Sequence, residues 1–414
     1  MFIRLLTFIF FYFILPPDSG GAVEFPKTAR FSPETPSPYR FIVQGAGLVD
    51  KKTNKKLFLK GIGYSPYLQN ELPLKGKGPP NDDRYKTHLD LIKNLGANYI
   101  HLFPSKMPEN FFIALDKTDL LYGQDIFVWA YEDDFLDEAF QEKTLKKIRE
   151  VIDYTYRFGR PDRLILFSVG DELQPESIIR TDRKHRQVTE YHGKHVIVTH
   201  RTPTEVALAK LIDGGIDYEL KTYGRRHLFT HTSWTHVGPI ADRKDLEVPY
   251  GSALLPDMGD IVCLNVYTYA RGVLTSPPGS RTGTSYQGYL EELSKSVQKP
   301  IFITQVGFST SPFEPKPWVP GFGGHKVDDV PSKLTQVWRD LQTAQGKEKY
   351  CGLAIFELQD EWWKSGDSEA DSSRHETQDP EEWFGLYEIG PNNRLLPKGK
   401  IPEAVRNAFQ KPLE

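Results

Sequence analysis

The stretch LILFSVGDEL, residues 164–173, is a short apolar run that stops at a glycine and two acids, Gly170, Asp171 and Glu172. A run of this length bounded by turn residues reads as a strand buried on both faces. Seven more such runs are spaced along the chain: LFLKGIGYSPY (57–67), NYIHLFP (98–104), DIFVWAYE (125–132), HLFTHTSW (227–234), IVCLNVYTY (261–269), PIFITQVGFST (300–310) and CGLAIFEL (351–358). Most are followed by an amphipathic segment. Residues 82–96, 141–158, 203–222, 284–297, 331–343 and 403–410 carry apolar residues at helical spacing, and a short helix is expected after Pro108. Thr202 stands as N-cap with Pro203 at the first helical position. Eight buried strands alternating with helices predict an α/β fold, a single (β/α)8 TIM barrel. Residues 40–56 hold two apolar runs around a polar turn and predict a short β-hairpin before it. A doubly wound sheet would bring a glycine-rich phosphate turn after an early strand, and GIGY lacks its third glycine.

The chain starts MFIRLLTFIFFYFIL. Arg4, the apolar run to Leu15, Pro16 and Pro17, and the small residues Ser19 to Ala22 have the layout of a signal peptide over 1–22. The run is too short for a comfortable membrane span, so the expected protein is exported, periplasmic or extracellular, without stable membrane insertion. Residues 23–39, with four prolines, read as a linker, and 40–412 as the barrel. The formal charge is 52 − 55 = −3, which gives no general attraction to nucleic acid or anionic lipid. Cys263 and Cys351 are too few for a disulfide framework or a zinc site and read as buried thiols. No metal or other cofactor is expected, since the His231 and His236 spacing matches no metal motif.

In a barrel of this type the reacting groups come from the C-terminal ends of the strands. Those ends offer Tyr64 and Tyr67, His101, Glu132 and Asp133, Asp171 and Glu172, His231 and Trp234, Tyr267 and Tyr269, Gln305, and Glu357 with Trp362 and Trp363. Carboxylates among aromatics suit an oligo- or polysaccharide: glycosidic cleavage needs a proton donor and a second group at the anomeric carbon, and sugar faces stack on rings. The basic segment 180–201 reads as a solvated loop that would hold an acidic saccharide if it covered the mouth. The acidic stretch 361–382 reads as a lid.

FSVGDEL, ITQVGFST and FELQDEWW, in this order on strands four, seven and eight, resemble the clan A glycoside hydrolases. The opening hairpin with LFLKGIGY, and LGANYIHLF and DIVCLNVYTY, are similar to the catalytic barrel of the family-2 type. The resemblance spans 41 to about 410 and implies Glu172 as general acid/base. Gln305 falls where that group has its nucleophilic Glu, Asp171 where it has Asn, His101 where it usually has Arg, and Leu358 where an aromatic floor is common. A carboxamide is a poor nucleophile, so three readings stand. A working glycosidase or transglycosidase would recruit another carboxylate, with Glu357 the candidate. A catalytically inactive relative would bind glycan. A substrate-assisted hydrolase of 2-acetamido sugars would need only Asp171 and Glu172, with Gln305 donating to the sugar, provided the chain turns at Gly170 so that adjacent side chains reach one pocket.

Overall fold

The computed structural model describes residues 40–128, 130, 132–235, 237–238, 254–268, 281–312, 323–364 and 372–411. The segments read above as signal peptide and linker lie outside them, as do Tyr269 and His236. In chain order the elements are β1 (Phe41–Gln44), β2 (Gly47–Asp50), β3 (Lys55–Leu57), β4 (Leu59–Tyr64), α1 (Arg84–Asn94), β5 (Tyr99–Leu102), α2 (Glu109–Leu115), β6 (Leu121–Ile126), α3 (Glu138–Phe158) and β7 (Leu164–Asp171). They continue with α4 (Pro175–Lys184), β8 (Glu190–His192), β9 (Ile197–Thr199), α5 (Pro203–Tyr223), β10 (Leu228–Trp234), β11 (Val262–Asn265), α6 (Ser285–Ser296) and β12 (Ile301–Val306). The last are α7 (Val330–Thr343), β13 (Tyr350–Ile355), β14 (Tyr387–Ile389), β15 (Leu395–Pro397) and α8 (Ile401–Gln410).

Strands β4, β5, β6, β7, β10, β11, β12 and β13 close into a parallel barrel, β13 pairing with β4. This is the predicted (β/α)8 architecture. Parallel strands with helices outside must be apolar on both faces, which is why the strands were legible as unbroken runs. The opening hairpin is present as β1 and β2, extended by β3 into a three-stranded antiparallel sheet. Phe41 and Leu48 of that sheet pack with Leu59, Ile165, Leu228, Cys263, Phe302 and Cys351. The sheet thus seals the end of the barrel where the strands begin. Both cysteines are free and buried there.

Two boundaries differ from the sequence reading. The third barrel strand is residues 121–126 rather than 125–132, with Gly123 and Asp125 facing the barrel inside, against Tyr99 and His101, and Gln124 on the other face. The apolar residues Phe127 and Val128 lie beyond its end. The segment read as a solvated basic loop contains the end of α4 and the β8–β9 hairpin. Ser177 and Thr181 of α4 receive the backbone N–H groups of Asp133 and Phe135, and Tyr191 bonds Asp213 of α5, so tertiary contacts order a polar stretch. Among the described residues no helix is long and apolar enough to cross a membrane.

The predicted cap of α5 is present and reciprocal. Thr202 Oγ1 accepts from the Glu205 N–H at 3.3 Å, and the Glu205 carboxylate accepts from the Thr202 N–H at 3.0 Å. Thr202→Ala is expected to lower the unfolding free energy by about 1 kcal/mol. Urea melts check it: the midpoint should fall while the slope stays constant.

Candidate active site

The two adjacent acids owe their placement to a bulge at the end of β7. Thr230 of β10 stands beside Ser168, but Thr232 stands beside Asp171, so β7 spends one residue more than its neighbour. Gly170 takes φ +77° within it, a conformation that strains any residue with a Cβ. Glu172 follows at φ +48° and donates its N–H to the Thr232 carbonyl at 3.2 Å. In a regular strand residues 171 and 172 would point to opposite faces. Here both line one cavity of about 730 Å³ at the C-terminal ends of the strands.

Asn265, at the end of β11, ties the pair together. Its Nδ2 donates to Asp171 Oδ1 at 3.0 Å and to Glu172 Oε1 at 2.7 Å. Its Oδ1 accepts from Thr304 Oγ1 at 2.6 Å, which sets the amide's orientation. Gln305 is oriented in the same manner. Its Oε1 accepts from the Tyr267 hydroxyl at 2.9 Å, so its Nε2 faces Asp171 Oδ2 at 3.3 Å. Asp171 therefore receives one amide donor on each oxygen, and Glu172 receives one.

Burial pushes Glu172 up to about 7. Burial, with Asp125 and Glu172 nearby, also raises Asp171 well above the usual carboxylate range. Two close carboxylic acids titrate as a pair, and burial favours the protonated form of each. Asp171 accepts two amide donors and Glu172 one, so Glu172 keeps a carboxyl oxygen available to carry a proton. The pair is thus an acid beside a hydrogen-bond acceptor. Removing the Asn265 donor withdraws a bond that favours ionised Glu172. Asn265→Ala is accordingly expected to move the basic limb of any pH–rate profile upward by about one unit while lowering the maximum. A titration of kcat against pH for both proteins checks it.

The opposite wall comes from the excursion after β13. Glu361, Trp363, Lys364, Glu381 and Phe384 line the cavity. Lys364 pairs with Glu361 at 2.8 Å and Glu381 at 3.7 Å. Burial opposes its charge, but Glu361, Glu381 and Glu357 outweigh that and keep it a cation. Trp363 meets Tyr67 edge to face, ring centres 5.8 Å apart, and Trp234 and Tyr267 complete an aromatic lining.

Of the residues singled out in the sequence, Asp133, Asp171, Glu172, Trp234, Tyr267, Gln305, Tyr67 and Trp363 line this cavity. Tyr64, His101, His231, Trp362 and Glu357 lie outside its lining, as does Glu132. Tyr64 is buried against α1, its hydroxyl 2.8 Å from His88 Nδ1. His101 points into the barrel, 3.0 Å from Asp125. His231 is buried behind the bulge, Nδ1 bonded to the Val169 carbonyl at 2.9 Å, and burial drives it down to about 4, so it is neutral. Trp362 stacks on His375 instead. Glu357 is buried among Glu361 and Lys364, and burial raises its carboxyl well above the usual range. The segment 180–201 contributes nothing to the lining, its hairpin packing on α5.

Asn265, Asp125, Glu361, Lys364 and Glu381 were not singled out. Asn265 stood within the DIVCLNVYTY motif, and only the pairing register reveals it as the bridge. No cluster of three or more metal-ligating side chains occurs among the described residues.

No family model and no curated protein matches the chain. Solved structures do. The glycoside hydrolase family 2 β-galacturonidase of Eisenbergiella tayi, bound to galacturonate, superposes with a TM-score of 0.54 at 16% identity, over 89% of this chain and 54% of that one. A β-D-glucuronidase of Dictyoglomus thermophilum gives 0.56 at 15%, over 90% and 54%. A β-glucuronidase of Ruminococcus gnavus gives 0.56 at 14%, over 90% and 53%. The chain spans about half the length of these structures. At such identities the likeness establishes the fold alone, the (β/α)8 barrel.

Proposed function

We propose that the chain hydrolyses glycosides of 2-acetamido sugars with the substrate's help. Glu172 protonates the leaving oxygen. The 2-acetamido carbonyl oxygen attacks the anomeric carbon, forming an O–C bond as the glycosidic bond breaks. Asp171 accepts the acetamido N–H and steadies the positive charge that develops there. Water then opens the cyclic intermediate, its proton passing to Glu172. The observation that carries this reading is the Asn265 amide bonded to both carboxylates on one cavity wall. Gln305, which the sequence resemblance aligns with the nucleophilic Glu, is the reason to prefer it over the two-carboxylate route, since a neutral amide is a poor nucleophile.

A panel of aryl glycosides tests the proposal. It includes 2-acetamido sugars, their 2-hydroxy counterparts, and the glucuronide and galacturonide suggested by the neighbours' names. Turnover is expected with 2-acetamido sugars and at least about 10²-fold less with the others. Equal turnover of a 2-hydroxy sugar would overturn it. A second reading, a glycan binder without catalysis, also rests on Gln305. It predicts no turnover by the parent and turnover appearing in Gln305→Glu.

A further inference from the structure

Lys106, Lys143, Lys146 and Lys147 lie along one wall of the same cavity, over the ends of β5 and β6. Three of them come from successive turns of α3, at spacings that put like charges side by side. Like charges at that spacing repel, and Glu142 and Glu150, four residues either side of Lys146, offset part of the repulsion. None of the four forms an ion pair within the described residues. Lys147 is half-buried, its ammonium donating to the Phe127 carbonyl at 2.7 Å. Burial, then the charges of Lys106 and Lys143, bring it down to about 8. Lys106 leans over the Tyr154 ring, 5.9 Å from its centre. Asp133 and Glu150 are the acids on this wall, against four cations. Lys364, the other cation of the lining, is by contrast held by Glu361.

From this we infer that the lysine wall is a subsite for an anionic substituent on the glycan, a carboxylate, sulfate or phosphate carried by a unit next to the one cleaved. The inference rests on the reading of the cavity as a glycan site and names the class of glycan it takes. The anion belongs on this wall because the cations are here, whereas the wall of Asp171 and Glu172 offers carboxyl groups. A whole-protein attraction is not the source, since the net charge is −3. The wall is also distinct from the basic residues of 180–201, which lie outside the lining.

The test is binding rather than turnover, made by calorimetry with full-length Glu172→Gln protein. Three oligosaccharides of equal length serve as probes: one containing uronic acid, one sulfated and one uncharged. At low salt at least one anionic probe is expected to bind about tenfold more tightly than the uncharged one, the gap narrowing as salt is raised. The two anionic probes distinguish carboxylate from sulfate. Lys143→Gln/Lys147→Gln should erase the gap. Lys106→Gln/Lys143→Gln, at two exposed positions whose loss relieves repulsion, should narrow it with no loss of thermal stability. Lys194→Gln, a lysine paired with Asp217 on the hairpin, should leave it intact. Equal binding of all three probes, or a gap that survives both double variants, overturns this inference alone. Binding of none overturns it together with the glycan reading.

Discussion

Glu172→Gln is expected to lower kcat by about 10³-fold on a 2-acetamido glycoside with a poor leaving group. The substitution keeps the side chain's length and shape but removes the proton that the departing oxygen needs. The loss should shrink to about tenfold when the leaving group is a dinitrophenolate, which departs without protonation. That contrast separates a proton donor from a merely structural carboxylate, whose removal would slow both substrates alike. The same assignment fixes the sign of the pH dependence. The acid works while it holds its proton, and burial places that limit at about 7. Activity should therefore fall as pH rises through this value, and Glu172→Gln should lose that limb. A kcat profile from pH 5 to 9 for both proteins reads it directly.

Asp171→Asn is expected to cost about 10²-fold in kcat on 2-acetamido substrates. Asp171 takes an amide donor from Asn265 on one oxygen and from Gln305 on the other. An Asn side chain has a single carbonyl oxygen, so one of these amides would face another NH2. The variant also removes the carboxyl group that can ionise as the cyclic intermediate gains its positive charge. The KM should change little, because the charge matters most once the acetamido group becomes cationic. A large rise in KM with kcat preserved would make Asp171 a ground-state binding group and contradict the assignment.

The barrel was legible because its physics is local: each strand is buried on both faces and reads as an apolar run between turns. The third strand was displaced for the same reason. Its true residues include Gly123, Gln124 and Asp125, which break the apolar run, while the apolar Phe127 and Val128 belong to the cavity wall beyond it. Strand-end position singled out Asp171, Glu172 and Gln305, and Gly170 signalled the turn that brings the two acids together. Strand-end position does not tell which way a side chain points, so Tyr64, His101 and His231 were drawn in although they face the interior. Asn265 was passed over because one polar residue in an apolar run carries no chemical signal until the register sets it between two carboxylates. The lysine wall was missed because a lysine-rich helix face ordinarily means solvent. It becomes a cavity wall only when the barrel sets α3 beside the ends of β5 and β6.

The central claim is that the substrate's own carbonyl makes the attack. The measurement that tests it most directly follows kcat/KM across aryl glycosides whose 2-acetamido methyl carries zero, one, two or three fluorines. Each fluorine withdraws electron density from the carbonyl oxygen and weakens it as a nucleophile. The account predicts a steep, progressive fall, about 10²-fold or more over the series. A rate indifferent to fluorination would contradict it, and would return the attack on the anomeric carbon to a group of the protein.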